Sequence, residues 1–379
     1  MTVAIVGGGA SAHLLAVLLS GQGHMVRVLT SRPNDWAREL ELEVGDEVLR
    51  GRIQGASTDY TSTISDADIA FLCMPVHQYP NALNNIADGL RYNSKCIVGA
   101  IYGQGGFDWM VQDVCKRHGI PGVRHFAIGL LPWIARTKIY GKRSISYGPK
   151  LRNGIATSDI ATFEYLQHNI LNDLSQSYWG CGKFERVPNF MTVTLTVDNQ
   201  IIHPARCYAL ASSGISWKNS DMIPYFYRDW DDYSAGILKG VDDDYTKVRK
   251  ALFCQFPRLS SKYDLDYLSL EHWSYGSHNP DIKASFVNST TLAQIKPPTI
   301  VSDEHEYVLD VNHRFFKDDF AFGLEICRWF ADELKVDVPN VSRLIEWYRK
   351  NVQPLQTTLV NSGAPSSYGF SLHDITCMA

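Results

Sequence analysis

Val3-Ala4-Ile5-Val6-Gly7-Gly8-Gly9-Ala10-Ser11-Ala12 lies almost at the start of the chain and decides its fold. Four apolar residues run into a glycine turn, and a second apolar run, His13-Leu14-Leu15-Ala16-Val17-Leu18-Leu19, follows at once. Buried strand, tight turn and buried helix are the context that a dinucleotide-binding motif needs. Gly7, Gly9 and Ala12 occupy the offsets of a G-x-G-x-x-A pattern. Gly7 permits the tight turn, Gly9 lets the backbone approach a pyrophosphate, and small Ala12 lets the helix pack on the strand. The helix, expected over roughly Ser11 to Ser20 with Ala10 at its mouth, aims free N–H groups and its positive dipole end at the phosphates.

Outward from this unit, strand-like runs alternate with helical ones. Met25-Val26-Arg27-Val28-Leu29 reads as a second parallel strand, and Ile69-Ala70-Phe71-Leu72-Cys73 as another, ending at Met74-Pro75. Lys95-Cys96-Ile97-Val98 and Val123-Arg124-His125-Phe126-Ala127 continue the series. This alternation predicts an α/β fold, an N-terminal Rossmann doubly wound parallel sheet. Ligands of such sheets bind at the carboxyl ends of the strands, which makes Pro75 a cofactor-proximal residue. From about Pro188 the texture changes. Tyr245–Cys254 and Phe320–Leu334 carry apolar residues at helical spacing, and strand-like alternation fades. The expected organisation is a dinucleotide-binding domain over 1–188 and a mostly α-helical substrate domain over 189–379.

Among 379 residues the net charge is −4 and 20% are charged, without a long basic or acidic run. That pattern argues against nucleic acid or a membrane surface as the main partner. The eight cysteines are scattered without a C-x-x-C pair, so they read as reduced, mostly buried apolar residues. The chain opens on a core strand, so no signal peptide is expected, and His13–Leu19 is too short to span a bilayer. A soluble, cytoplasmic monomer or homodimer is the expectation.

An NAD site usually carries Asp or Glu at the end of the second strand, bonded to the ribose. Thr30-Ser31-Arg32 stands there instead. Ser31 and Arg32 suit a 2′-phosphate, since guanidinium matches phosphate geometry, so NADP is favoured over NAD. Against this stand Asp35, which reaches a ribose if the loop curls back, and the simpler reading of Arg32 as a solvated loop residue.

Two constellations of the second half carry potential chemistry. One is Asn199-Gln200-Ile201-Ile202-His203-Pro204, an imidazole in apolar surroundings. The other is His313-Arg314-Phe315-Phe316-Lys317-Asp318-Asp319. A buried histidine is more often a satisfied core residue, and Lys317-Asp318-Asp319 reads equally as a solvated helix start. Asp303-Glu304-His305-Glu306 is ligand-rich but has no partner motif, so no metal is expected. There is no G-x-S-x-G elbow and no Cys–His motif.

Leu131-Pro132-Trp133-Ile134-Ala135-Arg136, with Tyr140-Gly141-Lys142 and Gly148-Pro149-Lys150, resembles a block of the animal octopine dehydrogenases, members of the opine dehydrogenase family. Val28-Leu29-Thr30, Gln104-Gly105-Gly106-Phe107-Asp108, Val341–Trp347 and Tyr368-Gly369-Phe370 look similar too. The resemblance spans essentially the whole chain and is patchy from Lys150 to Pro188. It implies NAD(P)H-dependent reductive condensation of an amino acid with a 2-oxo acid, usually pyruvate, in a cleft between a Rossmann and a helical domain. It places His203 on the catalytic histidine, Asp319 on its carboxylate partner, Arg314 on a substrate-binding arginine and Gln104 near the keto-acid site. Two positions depart from the octopine dehydrogenases, Leu130 for Thr and Val197 for Met, so octopine is not singled out over another opine. A simple 2-hydroxy-acid dehydrogenase and a non-catalytic nucleotide sensor are the alternatives.

Overall fold

Every residue of the first strand, β1 (Thr2–Val6), is buried, as a strand covered on both faces must be. Around it, a computed structural model describes residues 1–175, 182–211 and 216–378. The chain divides into two units, Met1–Thr194 and Leu195–Ala379.

The strands that follow are β2 (Met25–Leu29), β3 (Glu39–Val44), β4 (Glu47–Arg52), β5 (Gly55–Ser57), β6 (Ile69–Leu72), β7 (Ile97–Ala100) and β8 (His125–Ile128). The first unit is completed by β9 (Trp133–Ile139), β10 (Arg143–Pro149), β11 (Arg152–Thr157) and β12 (Lys183–Arg186). Eight of them form one sheet in the order β12-β11-β8-β7-β6-β1-β2-β5. From β5 to β8 all neighbours are parallel, whereas β11 runs antiparallel to β8. The doubly wound sheet is therefore as expected, with one reversed edge. The chain winds from β1 out through β2 to β5, then returns to the other side of β1 at β6. The strand order thus reverses between β1 and β6, the place where such sheets bind ligands.

β7 and β8 each begin two residues later than the apolar runs suggest. The amide of Cys96 is held by the carbonyl of Asn93 in a turn, and pairing starts at Ile97↔Ile69.

A second sheet, β4-β3-β10-β9, lies outside the sequence expectation. Its signal is visible in Glu39-Leu40-Glu41-Leu42-Glu43-Val44, a strict alternation of period two. What the alternation lacks is its partner β10, some hundred residues further on. This sheet covers the outer side of the helix Ala10–Gly21: a Cβ on Gly51 of β4 would come within 2.7 Å of Val17 Cα. The helix is thus enclosed between two sheets, and Ala12 to Leu19 are all buried. Enclosure on all sides explains its apolar sequence.

The second unit is helical among its described residues, apart from a hairpin of β13 (Thr299–Val301) and β14 (Tyr307–Leu309). Several helix starts carry an aspartate whose carboxylate accepts a first-turn N–H: Asp231 from Ser234, Asp266 from Ser269, Asp281 from Ala284. Each removes an orphan donor. The expected helix Tyr245–Cys254 is the end of a longer one, Asp232–Gln255. Seven cysteines are described and all are free, five buried and two, Cys254 and Cys377, exposed; Cys181 lies outside the described residues. No helix among the described residues is long and apolar enough to cross a membrane.

Candidate active site

Gly7 has φ +124°, and a Cβ there would collide with the carbonyl of Cys73 at the end of β6. No side chain fits. Gly9 differs: it caps the helix Ala10–Gly21 in extended conformation, and an added Cβ would meet no atom within 4 Å. The space beside Gly9 is open to a ligand. No side chain caps that helix, and its first turn carries no acid. Its N–H groups and dipole therefore suit a pyrophosphate. Ala10 is half-buried at the mouth of this site, and Ala12 is fully buried beneath it. Pro75 starts the turn Val76–Gln78 just beyond β6. The residues present fit a dinucleotide.

At the end of β2, Ser31 and Arg32 are exposed. The Arg32 guanidinium lies 3.6 Å from the ring centroid of Tyr140. Asp35 sits in the turn Pro33–Asp35 with its carboxylate 3.9 Å from Arg32. Gln104 is fully buried in the loop after β7, where its Oε1 accepts a hydrogen bond of 2.5 Å from the Tyr102 hydroxyl. The Tyr102 carbonyl in turn accepts from Tyr79.

In the second unit the helix Asn199–Ala211 carries His203, followed by Pro204 within the helix. His203 Nδ1 is 2.7 Å from Asp319 Oδ2, and each side chain is 1% exposed. Its Nε2 lies 3.2 Å from the Tyr227 hydroxyl. Phe315 stacks on the imidazole with centroids 3.6 Å apart. Arg314 is half-buried at the start of the helix Arg314–Asp319, of which Asp319 is the last residue.

Burial pushes the Asp319 carboxyl well above the usual carboxylate range, Asp318 adds to the rise and the Arg314 charge opposes it. A buried carboxyl against an imidazole holds a proton between the two rather than standing as an isolated charge.

After Asp319 the helix widens into a π turn, Phe320–Leu324, an irregularity that often marks functional sites. Gln200 donates through Nε2 to the Phe322 carbonyl at 2.6 Å, and the Gly363 amide donates to the Ala321 carbonyl at 2.8 Å. The helix of His203 thus braces the turn that follows Asp319.

The reading of Lys317-Asp318-Asp319 as a solvated helix start is corrected: Asp318 and Asp319 are 3% and 1% exposed. Their helix faces its apolar side and Asp319 into the unit, where His203 receives the carboxylate. His313 caps that helix, its Nδ1 accepting the Phe315 amide. Tyr227 was missed, because no spacing in the sequence links it to His203. Among the described residues no group of three or more His, Cys, Asp or Glu side chains is placed to hold a metal ion.

Residues 186–351 match the family model of the NAD/NADP octopine/nopaline dehydrogenase alpha-helical domain. Residues 2–98 match that of the coenzyme F420-dependent NADP oxidoreductases. The uncharacterized protein y4xO of Sinorhizobium fredii is 27% identical over 375 residues, covering 92% of this chain and 94% of its own. The opine dehydrogenase of Haliotis discus hannai is 24% identical over 387 residues, 93% of this chain and 90% of its own. An octopine dehydrogenase solved with NADH and L-arginine shares the fold, with a TM-score of 0.80 at 20% identity over 100% of this chain and 98% of that one.

Proposed function

The chain belongs to the octopine/nopaline (opine) dehydrogenase family of NAD(P)-dependent oxidoreductases acting on CH–NH donors, and from that premise we propose how its residues work. The reaction is the reductive condensation of an amino acid with a 2-oxo acid, pyruvate being the favoured keto acid. The observation that carries this reading is the buried contact between His203 Nδ1 and Asp319 Oδ2.

The amine of the amino acid must lose a proton to attack the keto carbon. The resulting hydroxyl must gain one to leave as water. With Nδ1 engaged by Asp319, Nε2, which meets the Tyr227 hydroxyl at 3.2 Å, is the ring nitrogen assigned as base and then as acid. An unperturbed imidazole titrates near neutrality, about 6.5, which suits both roles. Asp319 orients the ring and stabilises its charged form as the proton arrives. Arg314 offers a planar pair of N–H donors to a substrate carboxylate. Gln104 is assigned to the keto-acid side. Holding two carboxylates and two reacting centres together offsets the entropy cost of bringing two reactants to one geometry. The nicotinamide, when bound, supplies the hydride that reduces the imine.

For the cofactor, Gly7, Gly9, Ala10, Ala12 and Pro75 are assigned to the dinucleotide itself. Ser31 and Arg32, standing where an acid would read the ribose, favour NADP over NAD. The amino acid partner is left open by Leu130 and Val197, both buried where the octopine dehydrogenases carry Thr and Met.

The test is a cofactor-oxidation screen of amino acids against pyruvate with NADPH and NADH in parallel. Turnover is expected only when amine and keto acid are both present. Fast turnover with a keto acid alone would instead establish a simple 2-hydroxy-acid dehydrogenase. Cofactor binding without turnover for any pair would establish a nucleotide sensor.

A further inference from the structure

The turn between β9 and β10 is locked onto the start of the first helix. The Gly141 amide donates to His13 Nε2 at 2.6 Å. The proton of this imidazole therefore sits on Nδ1, which donates to the Gly9 carbonyl at 3.1 Å. Burial lowers the His13 pKa, which keeps the ring in the neutral form these two bonds need. The Gly141 carbonyl accepts the Ala37 amide at 2.8 Å, and with φ +70° a Cβ on Gly141 would collide with the backbone of Asp35. The turn has one seating.

That seating fixes Tyr140. Its hydroxyl lies 2.8 Å from Thr30 Oγ1 and so close to Gly8 that a Cβ there would collide with it. His13 and Trp36, themselves stacked at 4.3 Å, meet the Tyr140 ring at 5.7 and 6.0 Å in edge contacts. The remaining face carries the Arg32 guanidinium at 3.6 Å. A ring from a distant hairpin thus stands where β2 ends, the position from which these folds read the adenosine ribose.

We propose that Tyr140 sets cofactor selectivity, its ring being the platform that holds Arg32 for the 2′-phosphate of a phosphorylated adenosine. Stacking engages the flat face of the guanidinium, whose Nε side is approached by the Asp35 carboxylate at 3.9 Å, and holds the group at the exposed end of β2, where its N–H edge can be offered to two phosphate oxygens. An arginine of the same exposure without a platform would lose side-chain entropy on binding; here that loss is met in the folded protein. This inference rests on the NADP preference proposed above.

The experiment is calorimetric binding of 2′,5′-ADP and 5′-AMP to the full chain, which needs no turnover. Wild type is expected to bind 2′,5′-ADP at least tenfold more tightly than 5′-AMP. Tyr140→Leu should cost about tenfold for 2′,5′-ADP, within the range of a cation–π contact, and leave 5′-AMP within about twofold. Tyr140→Phe keeps the platform and should keep the discrimination. Arg32→Lys keeps the charge without the stacking plane and should lose most of it; since Arg32 is exposed, this variant tests the platform even if Tyr140→Leu fails to fold. Equal losses for both ligands in Tyr140→Leu, or full discrimination in Arg32→Lys, would overturn the platform while the NADP preference stood. No discrimination by wild type would overturn the preference and the platform with it.

Discussion

Asp319 and His203 stand 116 residues apart in the chain and meet at 2.7 Å with both side chains buried. Neither group would be stable there alone: an uncompensated buried charge costs several kcal/mol. The contact is therefore a mutual requirement, and it turns the other ring nitrogen, Nε2, toward the Tyr227 hydroxyl at 3.2 Å.

His203→Ala should lower kcat by about 10²–10⁴, the range for losing a general acid–base group. Asp319→Ala should act on the same step. The double variant should lose little more than the worse single one, because the two act as a unit. Steady-state kinetics alongside cofactor titrations checks this, with cofactor affinity expected to be unchanged. Near-normal kcat in His203→Ala would return the histidine to a purely structural role.

Arg314→Ala should raise the KM of one carboxylate substrate more than it lowers kcat. Lysine should rescue poorly, since it lacks the planar fork that matches a carboxylate. Comparing the KM of the amino acid with that of the keto acid identifies which carboxylate it holds. No change in either would remove Arg314 from the site.

Gln200 is 2% exposed and donates to the Phe322 carbonyl inside the π turn. Gln200→Ala leaves that buried acceptor without this donor, which costs about 1–3 kcal/mol. Urea denaturation should show the loss. Since the turn follows directly on Asp319, kcat should fall as well while cofactor affinity holds.

Asp242 accepts the Tyr267 amide and is 5% exposed. Burial pushes its carboxyl up to about 6, against the opposing Arg249 charge. Between the ordinary aspartate value, about 4, and 6 the native state keeps a proton that the unfolded chain has released. Its stabilisation is thus present at the acid end and lost as pH rises through 6. Asp242→Asn does not titrate, so relative to wild type it should gain about 1–3 kcal/mol between pH 4 and pH 7. Paired urea melts at the two pH values measure the difference; a pH-independent difference would show that Asp242 ionises normally.

The elements legible in the sequence are those whose signal is local. Val3–Ala12 identifies strand, turn and helix because a buried parallel strand is apolar throughout and Gly7 admits no side chain. Met25–Leu29 is a strand over the expected span, and the helical texture of the second half follows from spacing at 3.6 residues per turn. No spacing marks His203 and Asp319 as a pair; only the resemblance joins them.

Tertiary structure decided what depends on partners distant in sequence. The alternation at Glu39–Val44 pairs locally with β4, but it joins a four-stranded sheet only because β10 returns a hundred residues later to pair with its other edge. Asp319 looks like one member of a solvated charge cluster until its helix is packed, when its carboxylate faces His203. Tyr227 carries no local mark, and Tyr140, although it belongs to a block of resemblance, carries none of its place: one is defined by its distance to His203 Nε2, the other by a hairpin turn hydrogen-bonded to His13. Backbone preference and hydrophobic period act over a few residues, whereas a side chain's burial, proton and partner are properties of the packed neighbourhood, so the elements could be read from the sequence and the site's contacts could not.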